Sequence, residues 1–147
     1  MRRPVSRALG TTDLAMNYFE LEPGDSFSGG LHTHRDQEEV FYVVEGTATF
    51  EVGRERETVP VREGECIRFA PREFQVGSNE SDRRVVGLAL GAPGASHDFA
   101  DLESITPCRE CDDETVHDLE LTDEGAFRFT CTECGTDFAV GAWVQPG

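Results

Sequence analysis

The chain has 147 residues, enough for one full-sized core and a small appendage but not for a second large domain. Its 29 acidic side chains outnumber 13 basic ones, all of them Arg, and the formal charge of −16 sets it against phosphate backbones, so nucleic acid is not an expected partner. No window approaches the roughly 18 apolar residues of a membrane span.

Residues 1–15 read as an N-terminal tail. Arg2, Arg3 and Arg7 would suit an export signal, but Thr11, Thr12, Asp13 and Asn17 interrupt the apolar stretch that should follow, and the expected location is the cytoplasm. The first predicted strand, 16–22, ends in the turn residues Pro23, Gly24 and Asp25. Gly29 and Gly30 bend the chain into a short strand over 31–34, and a polar turn over 35–38 precedes a strong strand over 39–45, rich in Val, Phe and Tyr. Gly46 turns it into 47–52, and a hairpin tip at 53–55 leads to 56–61. Further strands are predicted over 66–69, 74–78 and 83–90. Short strands at this spacing, with no helix-period stretch between them, predict an all-β chain whose residues 16–92 form an antiparallel sandwich or barrel. Small residues and Pro93 then mark a linker over 93–106, and a second unit over 107–147 contains strands 115–121 and 126–130, joined by Thr122, Asp123, Glu124 and Gly125.

The hydrophobic share is only 37%. Aromatic and β-branched residues nevertheless gather in alternating runs, as a half-buried sheet requires, so the charge is a surface property. An acidic, Lys-free surface is similar to that of proteins from a salt-filled cytoplasm, where short screening lengths remove most self-repulsion. Four of the five cysteines form two CxxC pairs, which agrees with a reducing compartment.

His32 and His34 lie two apart on a predicted strand, so both imidazoles leave one face of the sheet and make half of a metal site. Glu39 opens the next strand in phase with Phe41 and Val43 and returns a carboxylate to the same side; Glu38 is the competing carboxylate. Two His and one carboxylate suit a divalent first-row metal (Fe, Mn, Ni or Zn) with open positions. His32-x-His34-x4-Glu39-x6-Gly46 resembles the first motif of the cupin superfamily, and Gly64 and Asn79 are similar to the opening glycine and closing asparagine of its second. Ala70 and Arg72 stand where proline and glycine are usual, Ser26 where the first motif normally opens on glycine, and Gln75 where the family has its third metal-binding His. The resemblance covers about 16–90. It implies a jelly-roll barrel, a homodimer, a small-molecule ligand or substrate, and a metal held by His32, His34 and Glu39, with Gln75 as a fourth ligand or a hydrogen-bond donor. An amide is a weaker ligand than imidazole. Tyr42 and Phe74 are candidates for the pocket lining, and no separate general base stands out.

Cys108-x2-Cys111 and Cys131-x2-Cys134 are separated by nineteen residues, and four thiolates at this spacing complete a closed tetrahedral shell. The hairpin between the pairs is similar to a zinc ribbon, which implies Zn2+, although a rubredoxin-type iron site has similar spacing. Such a shell supplies folding energy rather than catalysis. His117 is expected at the surface and Cys66 in the core, and no role is assigned to His97. Phe127, Phe129, Phe138 and Trp143, in an acidic hairpin, suit a protein surface better than a nucleic acid. Two functions follow. One is a metal-dependent cupin acting as oxygenase, decarboxylase or isomerase on a small organic molecule. The other is a non-catalytic binding or sensor module whose ribbon contacts a protein.

Overall fold

The computed structural model describes residues 1–95 and 102–141, so His97 and Trp143 lie outside the described residues. The chain divides into two compact units, Met1–His97 and Asp98–Gly147. Apart from α1 (Val5–Leu9), a single turn closed by Gly10, every regular element among the described residues is a strand, and the chain is all-β as its sequence implies. No helix of the described residues is long and apolar enough to cross a membrane.

The first unit contains β1 (Arg2–Pro4), β2 (Ala15–Leu21), β3 (His32–His34), β4 (Glu38–Glu45), β5 (Thr47–Val52), β6 (Glu57–Arg62), β7 (Cys66–Phe69), β8 (Gln75–Ser78) and β9 (Val85–Ala92). One sheet runs β1-β2-β9-β4-β7, and the other contains β3-β8-β5-β6, all pairs antiparallel. Alternation decides the faces. Along β2 the residues Ala15, Asn17, Phe19 and Leu21 are buried while Met16, Tyr18 and Glu20 are half-exposed. The inner faces enclose Phe19, Phe27, Phe41, Phe50 and Phe69 with Val43 and Val85. Phe27 is central to this cluster, its ring 5.0 Å from Phe19, 5.2 Å from Phe41 and 5.7 Å from Phe50. Each such side chain stabilises the fold by about 1.5–3 kcal/mol through the apolar surface it removes from water.

Two glycines make this packing possible. A Cβ on Gly77 would stand 2.8 Å from Phe27 Cδ2 and closer still to the Phe50 ring. Gly46 has φ +83°, and a Cβ there would meet the Arg84 carbonyl oxygen at 2.7 Å, so the turn from β4 to β5 requires glycine.

The second unit is a meander of β10 (Leu102–Cys108), β11 (Asp113–Leu121), β12 (Phe127–Cys131) and β13 (Asp137–Val140), each paired antiparallel with the next. Its buried residues are Leu102, Ile105, Cys108, Thr115, His117 and Cys131. This is a small core.

Several expectations need correction. The tail contains β1 and α1, because Arg2, Arg3 and Pro4 find open ladder positions opposite Phe19, Tyr18 and Asn17. Part of the expected linker is β10. Its buried residues recur every third position, at Leu102, Ile105 and Cys108, which hides a strand from a search for alternation. Cys66 is exposed, since Ile67 and Phe69 share the face of β7 that packs on the core and Cys66 lies on the other, opposite the exposed Tyr42. His117 is fully buried rather than at the surface, being in phase with the buried Thr115.

Candidate metal centres

In the barrel, β3 and β8 meet at a single pair, His32 opposite Gln75, and Glu39 lies on the inner face of β4 in phase with Phe41. One ligand atom each from His32, His34 and Glu39 falls within 4.8 Å of the others. The Glu39 Oε1 is 3.3 Å from His34 Nε2, and its Oε2 accepts a hydrogen bond from the Gln75 amide at 2.8 Å. The same amide nitrogen is 3.5 Å from His32 Nε2. With bonds of about 2.1 Å, adjacent ligands at right angles on one ion stand about 3 Å apart, so these separations fit a common ion.

The surroundings prepare the donors. His32 Nδ1 lies 2.9 Å from the Gly30 carbonyl oxygen, which fixes the proton on Nδ1 and turns the Nε2 lone pair toward His34 and Glu39. Burial lowers the His32 pKa, and the Glu39 charge offsets this only in part, so the ring favours the neutral form a metal needs. Gln75 is 1% exposed, and its Oε1 has no hydrogen-bond partner. A buried amide oxygen left alone costs free energy, and an ion would relieve that cost. Glu38, the rival carboxylate, points outward and pairs with Arg68 at 2.6 Å.

Tyr42 does not line this site, since it is 39% exposed on the outer face of β4. Arg2, absent from the sequence reading as a site residue, lies on the same sheet face as Glu39 and feels its charge. Its signal was hidden because three residues containing a proline carry no strand pattern.

In the meander, Cys108, Cys111, Cys131 and Cys134 bring all four sulfurs within 4.8 Å of one another. The Cys108–Cys134 separation is 3.6 Å and Cys111–Cys131 is 3.9 Å. A tetrahedron with metal–sulfur bonds of about 2.3 Å has edges of about 3.8 Å, so the cluster has the size of a four-thiolate shell. The Thr115 hydroxyl, 3.2 Å from Cys131 Sγ, and the Cys134 backbone lower the Cys131 pKa to about 6. Hydrogen bonds from Thr136 lower that of Cys134. Cys111 is pushed up, first by its hydrogen bond to Cys134 and then by burial. His117 pairs across the ladder with Cys131, its Nδ1 3.0 Å from the Thr115 carbonyl oxygen and its ring 5.6 Å from Phe138. Phe138 stacks on Phe129 at 5.0 Å.

Comparison with known proteins places the barrel. The family model for the cupin domain matches residues 17–91. Among solved structures, a sugar phosphate isomerase of the cupin superfamily from Silicibacter pomeroyi is similar at TM-score 0.56 and 21% identity, over 95% of this chain and 74% of that one. A cupin protein from Bacteroides fragilis gives 0.57 and 20%, over 67% and 80%. Oxalate decarboxylase from Bacillus subtilis, studied for its Mn(II) centers, gives 0.55 and 18%, over 65% of this chain and 26% of that one. At these identities the likeness is one of fold. Among curated proteins, none matches.

Proposed function

Because the chain belongs to the cupin domain family, we propose that its barrel is a metal-dependent small-molecule site, in which His32, His34 and Glu39 hold a divalent first-row ion and Gln75 completes the set. The observation that carries this reading is the convergence of three donor atoms within 4.8 Å, with the buried Gln75 amide against two of them. Bound there, Fe, Mn, Ni or Zn supplies a Lewis acid with positions open to a substrate oxygen. The chain's residues do the rest. Gly30 holds the His32 tautomer, Gln75 orients the carboxylate by its hydrogen bond to Oε2, and the Phe41 and Phe50 rings keep the inner end of the barrel dry. This chemistry serves an oxygenase, a decarboxylase or an isomerase acting on a small organic molecule.

The four cysteines, in the same proposal, bind Zn2+ as a ribbon-like staple, supported by sulfur separations of tetrahedral size. A thiolate shell suits iron as well, and elemental analysis distinguishes the two. The assembly we propose is a homodimer.

A second reading, a non-catalytic binding or sensor barrel, draws on Gln75 alone: its amide is spent on Glu39, and a neutral ligand binds metal less firmly than imidazole. Protein purified without added metal decides between them. Two metals per chain are expected, one chelator-resistant and one labile. The double variant His32→Ala, His34→Ala should lose only the labile ion, and Gln75→His should hold it more tightly. A double variant with full metal content would remove the basis for a metal-dependent barrel.

A further inference from the structure

The register of β1 turns Arg2 toward the barrel interior. Arg2 stands opposite Phe19, and residues directly opposed across an antiparallel ladder share a face of the sheet. That face is the inner one, for Phe19 and Asn17 are 5% and 4% exposed. Followed across the sheet, Asn17 opposes Ala89, which opposes Phe41, while Ala15 opposes Gly91, which opposes Glu39. Arg2 therefore lies on the surface that carries Glu39, three strands away.

The side chain is also aimed along that surface. Its Nε donates to Asn17 Oδ1 at 3.1 Å, and its Cζ lies 5.8 Å from the centre of the Phe19 ring. The buried Asn17 and the aromatic face hold the stem of the guanidinium, and neither Nη group has a hydrogen-bond partner among the described residues. As a residue Arg2 remains open to solvent. Its crowded surroundings nonetheless lower its pKa, an effect the Glu39 charge partly offsets, which places the two groups within electrostatic reach.

A chain of charge −16 that fixes a cation on the sheet face of its metal-ligand set, where it feels the Glu39 charge, creates a local exception to its own field. We propose that the barrel's ligand carries a carboxylate, which the Arg2 guanidinium binds through its Nη groups while the rest of the molecule reaches the His32, His34 and Glu39 centre. The planar fork of a guanidinium matches a carboxylate with two parallel hydrogen bonds, and one such cation balances one negative charge. This assignment names the substrate class of the proposed metal site and rests on that reading for the position of the ligand's other end.

The test uses the full chain as wild type, Arg2→Gln and Arg2→Lys, titrated calorimetrically at constant ionic strength, both metal-loaded and chelator-treated. The probes are acetate, malonate, succinate and glutarate, the neutral succinamide, and inorganic phosphate. At least one carboxylate should bind wild type. Arg2→Gln should weaken that binding roughly ten- to hundredfold, as loss of a charged hydrogen-bonding partner does, with unchanged metal content and unfolding temperature. Arg2→Lys, which keeps the charge without the fork, should recover part of it. Equal binding by Arg2→Gln, binding of succinamide as tight as succinate, preference for phosphate over every carboxylate, or no binding of any carboxylate to wild type would each overturn the assignment. If wild type holds no labile metal, the metal reading fails by itself, and the titration of metal-free protein decides the role of Arg2.

Discussion

Protonation and metal binding compete for the same Nε2 lone pair on His32, so the direction of its pKa shift sets how the barrel responds to acid. Burial lowers the folded-state value from 6.5, the ordinary value for histidine. The unfolded chain then takes up this proton more readily than the folded one, and stability rises with pH across the window below 6.5. The contribution is complete above 6.5 and is lost as pH falls through the folded-state value. Equilibrium dialysis between pH 7.5 and 4.5 should therefore find the labile metal retained at neutral pH and past 6.5, then released on further acidification; release beginning above 6.5 would contradict the shift. Asn79 offers a second prediction. Its Nδ2 donates to the Leu21 and Arg83 carbonyl oxygens at 2.9 and 2.7 Å, and its Oδ1 accepts from the Ser81 backbone and hydroxyl. Asn79→Ala leaves buried partners unpaired and should cost about 2–3 kcal/mol in denaturant unfolding. Both residues were legible in the sequence, His32 by its spacing from His34 and Glu39 and Asn79 by its likeness to the closing asparagine of the second cupin motif. The burial of His117 was not, because four nearby cysteines made a fifth buried polar group look unnecessary.

Strands announced themselves wherever one face is buried and the other wet. The predicted 47–52 and 66–69 coincide with β5 and β7, and the remaining barrel strands differ from prediction by one or two residues at their ends. Apart from β10, whose buried residues recur every third position, the missed strands share a cause in weak burial contrast. All four residues of β13 are exposed, as are all three of β1, so neither writes an alternating pattern, and only pairing with β12 and β2 defines them. The same weakness carries an energetic consequence for the meander. With six buried residues, two of them cysteines, β10 to β13 gain little from apolar burial, and the proposed thiolate–metal bonds have to supply the difference. Cys108→Ser together with Cys131→Ser should abolish the chelator-resistant metal and raise amide hydrogen exchange across residues 102–141 to near-unfolded rates. The β2, β4 and β9 amides, in the centre of their own sheet, should stay protected. Protection of 102–141 unchanged in the variant would show that the meander needs no metal.

At the scale of the molecule, two properties visible in the sequence act against each other. The outer face of the β1-β2-β9-β4-β7 sheet carries Tyr18, Leu88 and Tyr42 in one cross-strand row and Met16, Leu90 and Val40 in the next, with Val44 44% exposed beyond them. Contiguous apolar rows of this kind suit the proposed homodimer. Each copy, however, brings a formal charge of −16 to the encounter. The repulsion between two such surfaces acts over a Debye length of about 10 Å at 0.1 M salt and about 3 Å at 1 M, whereas apolar burial survives added salt. Association should therefore tighten as KCl rises from about 0.1 to about 2 M, and the unfolding temperature should climb with it as self-repulsion within each chain is screened. Sedimentation equilibrium across that series measures the first effect and calorimetry the second. Tyr42→Glu, which places a charge at the β4 end of the first apolar row, between Val40 and Val44, should weaken association at least tenfold at every salt concentration without lowering metal content. A protein that remains monomeric up to about 2 M KCl would assign those rows to something other than a second copy of the chain, and an unfolding temperature indifferent to salt would mean that its acidic side chains are spaced widely enough not to oppose folding.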